Sequence, residues 1–377
     1  MKATPLKVLI LEVLRRSGPI PFEGFMELCL YHPEFGYYMQ GRERTGLRGD
    51  YFTSPDLHPI FARLVARQAA EMWETMDRPS PFTWVEMGAG RGWFAQDFLR
   101  WAERQRPEFF AALDYVAVEP APPQHEFIRE KLAQVGLLTK VRLVEDISRL
   151  EAVVGCFFSN ELVDSFPVAV VTRLGGRLRE IYVKAIGESL EEESGPLRGP
   201  TAAAVARYVH DLEEGCRAEV NLRAAEWIRA VAAKLRRGFV LTIDYGDLVD
   251  RLYTPDRPRG TLMAYRGHTA SEDFYSAPGE TDLTAHVNFS ALIDAGQDAG
   301  LGLAGFATQE RFLLALGEEN QFRDLCEPGE SETGQLQARL KLKRLINPEG
   351  MGTIFKVLIQ QRGVSSPRLT GLKFERK

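Results

Sequence analysis

Glu86 stands two residues ahead of Gly88, the first of three glycines in the run Trp84–Trp93, WVEMGAGRGW. Glycines at 88, 90 and 92 let the backbone turn tightly and let a ligand lie directly against it. The first N–H groups of a helix that follows then point at that ligand. A carboxylate at position 86 opposes a pyrophosphate and favours a cation. A second acid, Glu119, ends the run Tyr115–Glu119, YVAVE, where a carboxylate can accept hydrogen bonds from ribose hydroxyls. A third group of polar residues, Asn160, Glu161 and Asp164 in SNELVDSFPV, follows the apolar run Val153–Phe158.

The elements needed to position these groups are legible around them. Phe82–Glu86 is a short apolar run of strand type, and Phe94, Phe98, Trp101 and Ala102 share one helical face. Strand, glycine turn and helix make the opening unit of an α/β fold with a mostly parallel sheet. Helix 123–134, strand Val141–Val144, the continuous apolar strand Val153–Phe158, helix 222–235 and strand Phe239–Ile243 continue the rhythm, and 353–360 is a terminal strand. The spacing is GxGxG rather than the GxGxxG of dinucleotide sites. Together with Glu86 and Glu119 it favours S-adenosylmethionine, which carries an ammonium, a sulfonium and a carboxylate but no phosphate. A nucleotide- or NAD-linked oxidoreductase is the alternative, and a glycine turn needed only for close packing is the structural one. Asp146, after the third strand, is placed either on the adenine amino group or as a helix N-cap.

Residues 1–80 read as helices around a loop. That loop, HPEFGYYMQGRERTGLRGDYFTSPDLHP, has no apolar period, and long structureless segments inside a compact domain are usually functional. Tyr37, Tyr38, Tyr51 and Phe52 suit a water-excluding lid, with Asp50, Thr53 and Ser54 as polar groups at the cofactor. Residues 81–164 and 221–360 form the expected core, 165–220 an inserted hairpin and helical subdomain with a loop-like acidic stretch at 187–200, and 361–377 a disordered tail. A second irregular region at 247–288 carries His286.

The net charge of -5 offers nucleic acid no global attraction. No apolar run reaches membrane-spanning length. Four scattered cysteines, Cys29, Cys156, Cys216 and Cys326, suggest reduced thiols in a cytoplasmic protein. A homodimer is the candidate assembly.

The blocks LYHPEFGYY, GDYFTSP, VEMGAGRG, SNELVDSFPV, IDYG, DLTAHVNF, TQERFLLALG and MGTIFKVL, in this order over residues 20–360, resemble the MidA-like family of methyltransferases. The resemblance implies a Rossmann-like class I S-adenosylmethionine-dependent fold with an N-terminal helical and lid extension and an insertion after the fourth strand. From the eukaryotic member it implies arginine methylation of a respiratory-complex subunit. Glu86, Gly88, Gly90 and Glu119 carry over as donor-binding residues, with Ala89 and Gly92 in the same turn. Asn160, Glu161 and Asp164 match the family's NE..D motif. Ala89 stands where proline is more usual, and Ser159 where alanine is.

Methyl transfer from a sulfonium is an in-line displacement in which the protein supplies alignment and desolvation. No metal is needed. For an arginine acceptor, Glu161 and Asp164, three apart on an expected helical turn, could grip the guanidinium bidentately, with Asn160 on the cofactor side and His286 as the third catalytic candidate. Alternatively, the two acids cap the next helix, or the fold serves a binding or assembly protein without strong catalysis.

Overall fold

The computed structural model describes residues 3–42, 44–46, 49–50, 53–327 and 329–374. Tyr51 and Phe52, two of the aromatic residues expected in the lid, lie outside the described residues. The chain divides into two compact units, one of residues 1–51, 163–227 and 246–292, the other of residues 52–162, 228–245 and 293–377.

The second unit is built on a sheet of β1 (Phe82–Met87), β2 (Leu113–Val118), β3 (Val141–Val144), β4 (Val153–Asn160), β5 (Leu235–Asp247), β6 (Gly302–Thr308) and β7 (Phe355–Arg362). Its order is β3-β2-β1-β4-β5-β7-β6. The first five strands in this order run parallel, and β7 is antiparallel to both β5 and β6. β1 and β4 are mainly apolar and buried at almost every position because helices cover both faces of a parallel sheet. Trp84 lies 4.7 Å from Phe98 and Phe94 lies 4.5 Å from Phe158, ring centroid to ring centroid. The aromatic face of helix α2 (Trp93–Gln105) thereby fixes where the glycine turn before it must sit.

Chain order reverses between β1 and β4, and ligands in open α/β sheets bind outside the strands' carboxyl ends at such a point. β6 lacks a clear sequence signal: its glycines and the half-exposed Leu303 blur the alternation. The expected disordered tail is ordered as far as Phe374. Leu369 and Leu372 join the main core, and Thr370 donates its N–H and hydroxyl to Glu71 of helix α1 (Ile60–Thr75). Burial of two leucines outweighs the polarity that suggested a tail.

The first unit joins the N-terminal helices, Pro5–Ser17 and Phe22–Tyr31, to the insertion. The insertion's hairpin, 169–174 with 177–186, turns at Gly175-Gly176 as its sequence suggests. The acidic stretch expected to be a loop instead supplies strand Ser189–Gly195, paired antiparallel along Arg177–Ile186. Lys184 pairs with Glu193 and Arg217 with Glu192, so cross-strand cations neutralise a charge run that argues against a strand when read alone. Part of the irregular region at 247–288 forms a three-stranded sheet of 263–266, 269–271 and 282–284. Leu6, Ile10, Phe22 and Phe25 pack with Val170, Ile181 and Leu283 in one core. Residues 1–51 therefore group with the insertion, whereas α1 belongs to the sheet unit, a division that crosses the expected segment 1–80.

Candidate functional site

The glycine turn leaves β1 with φ of +73° at Gly88, +53° at Gly90 and +76° at Gly92, all in the region that favours glycine. The N–H groups of Gly88 and Ala89 both reach the carbonyl of Val118 at the end of β2, at 2.9 and 3.2 Å. Gly90 N–H donates to Glu119 Oε2 at 2.9 Å, and Ala121 N–H donates to Glu119 Oε1 at 3.0 Å. His125, on helix α3 (Pro122–Gln134), contacts the Glu119 carbonyl at 2.6 Å. Glu119 thus joins the turn after β1 to the turn after β2.

The three glycines do different work. A Cβ on Gly92 would meet Ile128 at 3.4 Å, and one on Gly88 would meet Leu162 Cδ1 at 3.1 Å. At Gly90 a Cβ would have no protein atom within 4 Å. Gly92 serves helix packing, whereas Gly90 faces open space against which a ligand can lie.

Glu86 departs from the electrostatic argument that singled it out. It is only 4 % exposed and accepts a hydrogen bond from Tyr115 Oη at 2.6 Å. Burial raises its pKa to about 8 despite that bond, and the nearby Glu119 charge adds to the rise. The carboxyl is mainly protonated at neutral pH, so in the free protein it contributes little negative charge against phosphate or toward an ammonium. Tyr115 gives no sequence signal for this pairing, because only the parallel register of β1 and β2 brings it to Glu86.

At the end of β4, Asn160 opposes Ile243 in the ladder, and Glu161 N–H extends the pairing to the Ile243 carbonyl at 3.0 Å. Glu161 then adopts φ +51°. Its Oε1 accepts from Ser54 N–H and from Asn160 Nδ2, each at 2.9 Å. Leu162 N–H donates to Oδ2 of the fully buried Asp244 at 3.2 Å. Asp244, an acid at the end of an apolar strand, is the residue at this edge that a sequence search for carboxyl-end acids could have added.

The expected helical turn that would align Glu161 and Asp164 is absent. Val163–Ser165 is a single 3-10 turn, Glu161 precedes it in a left-handed conformation, and the chain continues into strand Ala169–Leu174. The unit boundary also separates the two acids. Asp164 is buried, and its carbonyl accepts from Ala285 N–H at 3.0 Å, which brings it beside the segment carrying His286. His286 N–H donates to Thr261 Oγ1 at 3.0 Å. Asp282 lies near enough to Asp164 for the two charges to interact, and it accepts from Tyr38 Oη at 2.7 Å. Burial pushes the Asp282 pKa up to about 7. The sequence places Asp282 at the head of the block DLTAHVNF but gives no sign of its burial.

Four expected cofactor contacts have other structural tasks. Asp146 is exposed and caps the turn Ile147–Arg149 through Ser148 N–H at 2.6 Å, which holds its pKa below the usual carboxylate range. Thr53 forms a capping box with Asp56 around the one-turn helix Ser54–Leu57. Ser54 is buried, with its hydroxyl 3.5 Å from Gln309 Oε1. Asp50 accepts from Tyr37 Oη at 2.8 Å and from Gly267 N–H at 2.7 Å, joining two loops of the first unit. Thr53 and Asp146 satisfy nearby backbone groups, as short polar side chains do, whereas Ser54 and Asp50 meet groups remote in sequence. Among the described residues no cluster of His, Cys, Asp and Glu is arranged to hold a metal ion.

Seven strands in this order, with a glycine turn after the first strand and an acid after the second, define a class I S-adenosylmethionine-dependent methyltransferase. The chain belongs to the S-adenosyl-L-methionine-dependent methyltransferase family whose signature matches residues 64–307. It is similar to a Burkholderia thailandensis protein solved with S-adenosyl-homocysteine, with a TM-score of 0.90 and 31 % identity over 99 % of this chain and 95 % of that one. It is 28 % identical to the mitochondrial protein arginine methyltransferase NDUFAF7 of Xenopus tropicalis, over 91 % of this chain and 82 % of that protein. The Drosophila melanogaster homologue is 26 % identical, over 94 % and 84 %. The protein is an S-adenosylmethionine-dependent methyltransferase. The oxidoreductase alternative falls with this assignment.

Proposed function

We propose that the methyl group is delivered to an arginine side chain of a protein substrate. The observation that carries this reading is the similarity, along more than nine-tenths of the chain, to proteins named as protein arginine methyltransferases. The donor supplies an electrophilic methyl group. The chain's own task is to hold that donor against the Gly88–Gly92 turn, with Glu119 on the ribose hydroxyls and Asn160 at the end of β4. The open face of Gly90 and the buried Asn160 Oδ1, which has no hydrogen-bond partner among the described residues, fit that role.

Asp164 and His286 are the proposed acceptor groups. A buried carboxylate orients a guanidinium through charge-assisted hydrogen bonds, and a histidine can receive the proton that nitrogen loses as the N–C bond forms. The S–C bond breaks with its electrons left on sulfur. Guanidinium remains protonated in free solution, so deprotonation accompanies or follows attack. Glu161 has two N–H donors on one oxygen already.

Four unpaired cysteines, three of them buried, support a reducing compartment. The Xenopus and Drosophila relatives are named as mitochondrial, and a respiratory-complex subunit is the first acceptor to test. No helix among the described residues is long and apolar enough to cross a membrane. Sedimentation of the purified chain tests the homodimer.

The deciding experiment is mass spectrometry of protein extracts incubated with the chain and methyl-labelled donor. Label on arginine, lost with Asp164→Asn while donor binding persists, is the expected result. Label confined to another residue type overturns the arginine reading.

A further inference from the structure

The amide of Asn160 is oriented by its neighbour. Its Nδ2 donates to Glu161 Oε1 at 2.9 Å, and because an ionised carboxylate only accepts, the amide cannot turn over without losing that bond. Oδ1 must then face the other way. That oxygen is buried and has no hydrogen-bond partner among the described residues. An acceptor left in this condition is costly, so it marks a place where a donor is expected from outside the protein.

The backbone beneath Glu161 is strained in support of this arrangement. A non-glycine residue at φ +51° is unfavourable and persists where its surroundings over-determine it. Here the surroundings are identifiable. Glu161 N–H is held by Ile243, Leu162 N–H by Asp244, and the carboxylate by the first N–H of helix Ser54–Leu57. A right-handed conformation at Glu161 would carry its carboxylate away from Asn160 and Ser54 together.

The donor molecule offers three kinds of hydrogen-bond donor: the ribose hydroxyls, the adenine amino group and the ammonium of its amino-acid portion. Glu119, at the end of β2, is proposed for the ribose, and the adenine and the amino-acid portion leave the ribose from opposite ends. β4 lies on the other side of β1, across the reversal point. We infer that Asn160 Oδ1 accepts from the ammonium of the methyl donor, and that Glu161 is the positioning residue that holds Asn160 in register for it. The inference rests on the proposed donor site but not on the identity of the acceptor. It also gives Glu161 a second consequence: the same carboxylate oxygen anchors the helix at Ser54, so the donor's amino-acid end and that helix share one hydrogen-bonded link.

The test is calorimetric titration of the full chain with two probes. S-adenosyl-homocysteine carries the ammonium. Methylthioadenosine has the nucleoside but no amino-acid portion. Asn160→Ala should weaken S-adenosyl-homocysteine binding about tenfold and leave methylthioadenosine unchanged. Glu161→Gly, which removes the carboxylate while relieving the strained φ, should show the same selective loss, and the double variant should lose little more than either single one. Glu161→Gln should recover part of the affinity, because its amide oxygen can still accept from both donors.

Thermal melts confirm that each variant is folded, and Glu161→Gly provides the comparison if Asn160→Ala does not fold. Equal loss for both probes would place Asn160 at the nucleoside or make it merely structural, and no loss for either would make Oδ1 irrelevant to the ligand. Each of these overturns the inference while leaving the donor site intact. Failure of the parent chain to bind either probe would remove the donor site itself, and the inference with it.

Discussion

Tyr115 donates its hydroxyl to Glu86 at 2.6 Å between adjacent parallel strands, beneath the turn that carries Gly88, Gly90 and Gly92. The pair satisfies a buried carboxyl without a cation. Burial, acting against that bond, holds a proton on Glu86 at pH values where the unfolded chain has lost it.

The sign of the pH dependence follows directly. Glu86 is raised from 4.5 to about 8 and Asp282 from 3.8 to about 7, so both bind protons in the folded state that the unfolded chain releases. Their contribution is fully present below their unfolded values and is lost as pH rises through the folded ones. Stability from these groups should therefore fall between about pH 5 and pH 8, by at most about 1.4 kcal/mol per group per pH unit. Glu86→Gln should flatten that fall. Melting temperatures across the window check it, and an unchanged slope would mean Glu86 titrates normally.

Gly90→Val fills the one open face of the glycine turn. The substitution also puts a β-branched residue at φ +53°, costing roughly 1–2 kcal/mol in backbone strain. A domain of this size should remain folded, and donor affinity should disappear. Gly90→Ala should give a smaller loss in the same direction. A folded Gly90→Val protein with parental affinity for S-adenosyl-homocysteine would falsify the placement of the ligand against this turn.

Glu119→Ala should weaken donor binding by roughly tenfold to a hundredfold, the equivalent of about 1.5–3 kcal/mol of charge-assisted hydrogen bonding. The loss has two sources, the ribose contact and the release of Gly90 N–H and Ala121 N–H from their anchor. Glu119→Gln retains one acceptor oxygen and should fall between the parent and Glu119→Ala. Titration with S-adenosyl-homocysteine measures both variants. Equal affinity in all three proteins would remove Glu119 from the site.

In the first unit, Arg198 donates Nε to Glu180 and Nη2 to Glu23, each at 2.7 Å, and Glu180 is completely buried. Truncation by Arg198→Ala leaves that carboxylate without its cation and should destabilise the unit by about 3 kcal/mol. The arginine is itself about one-third exposed, which puts the expectation at the low end of the range for buried pairs. Denaturant unfolding reads the change. A loss below about 1 kcal/mol would show that water replaces the guanidinium.

The acceptor assignment is tested by single-turnover methyl transfer beside donor titration. Asp164→Asn and His286→Ala should keep donor affinity and lose methyl transfer by a factor of at least about a hundred, the usual scale for a positioned acid–base group. Transfer at the parental rate in both would remove Asp164 and His286 from the acceptor site.

The sequence alone determined the sheet's parallel core and the place of the glycine turn. Periodicity and residue type are local properties, and Trp84–Val85, Phe94–Phe98 and Val153–Phe158 carry them within single elements. It also determined that Gly90, Glu119 and Asn160 stand at strand ends, because strand ends are read from where apolar runs stop. Tertiary structure decided which polar atoms are already engaged. Glu86 reads as an anion until the register of β1 and β2 supplies Tyr115 and burial supplies a proton. Thr53, Ser54, Asp50 and Asp146 read as ligand groups, but in the fold the side chain of each already meets other protein atoms. Spacing suggested a clamp of Glu161 and Asp164, but the left-handed turn at Glu161 depends on Ile243, Asp244 and Ser54, all remote in sequence. Long-range hydrogen bonds override a local helical preference when they satisfy groups that burial would otherwise strand.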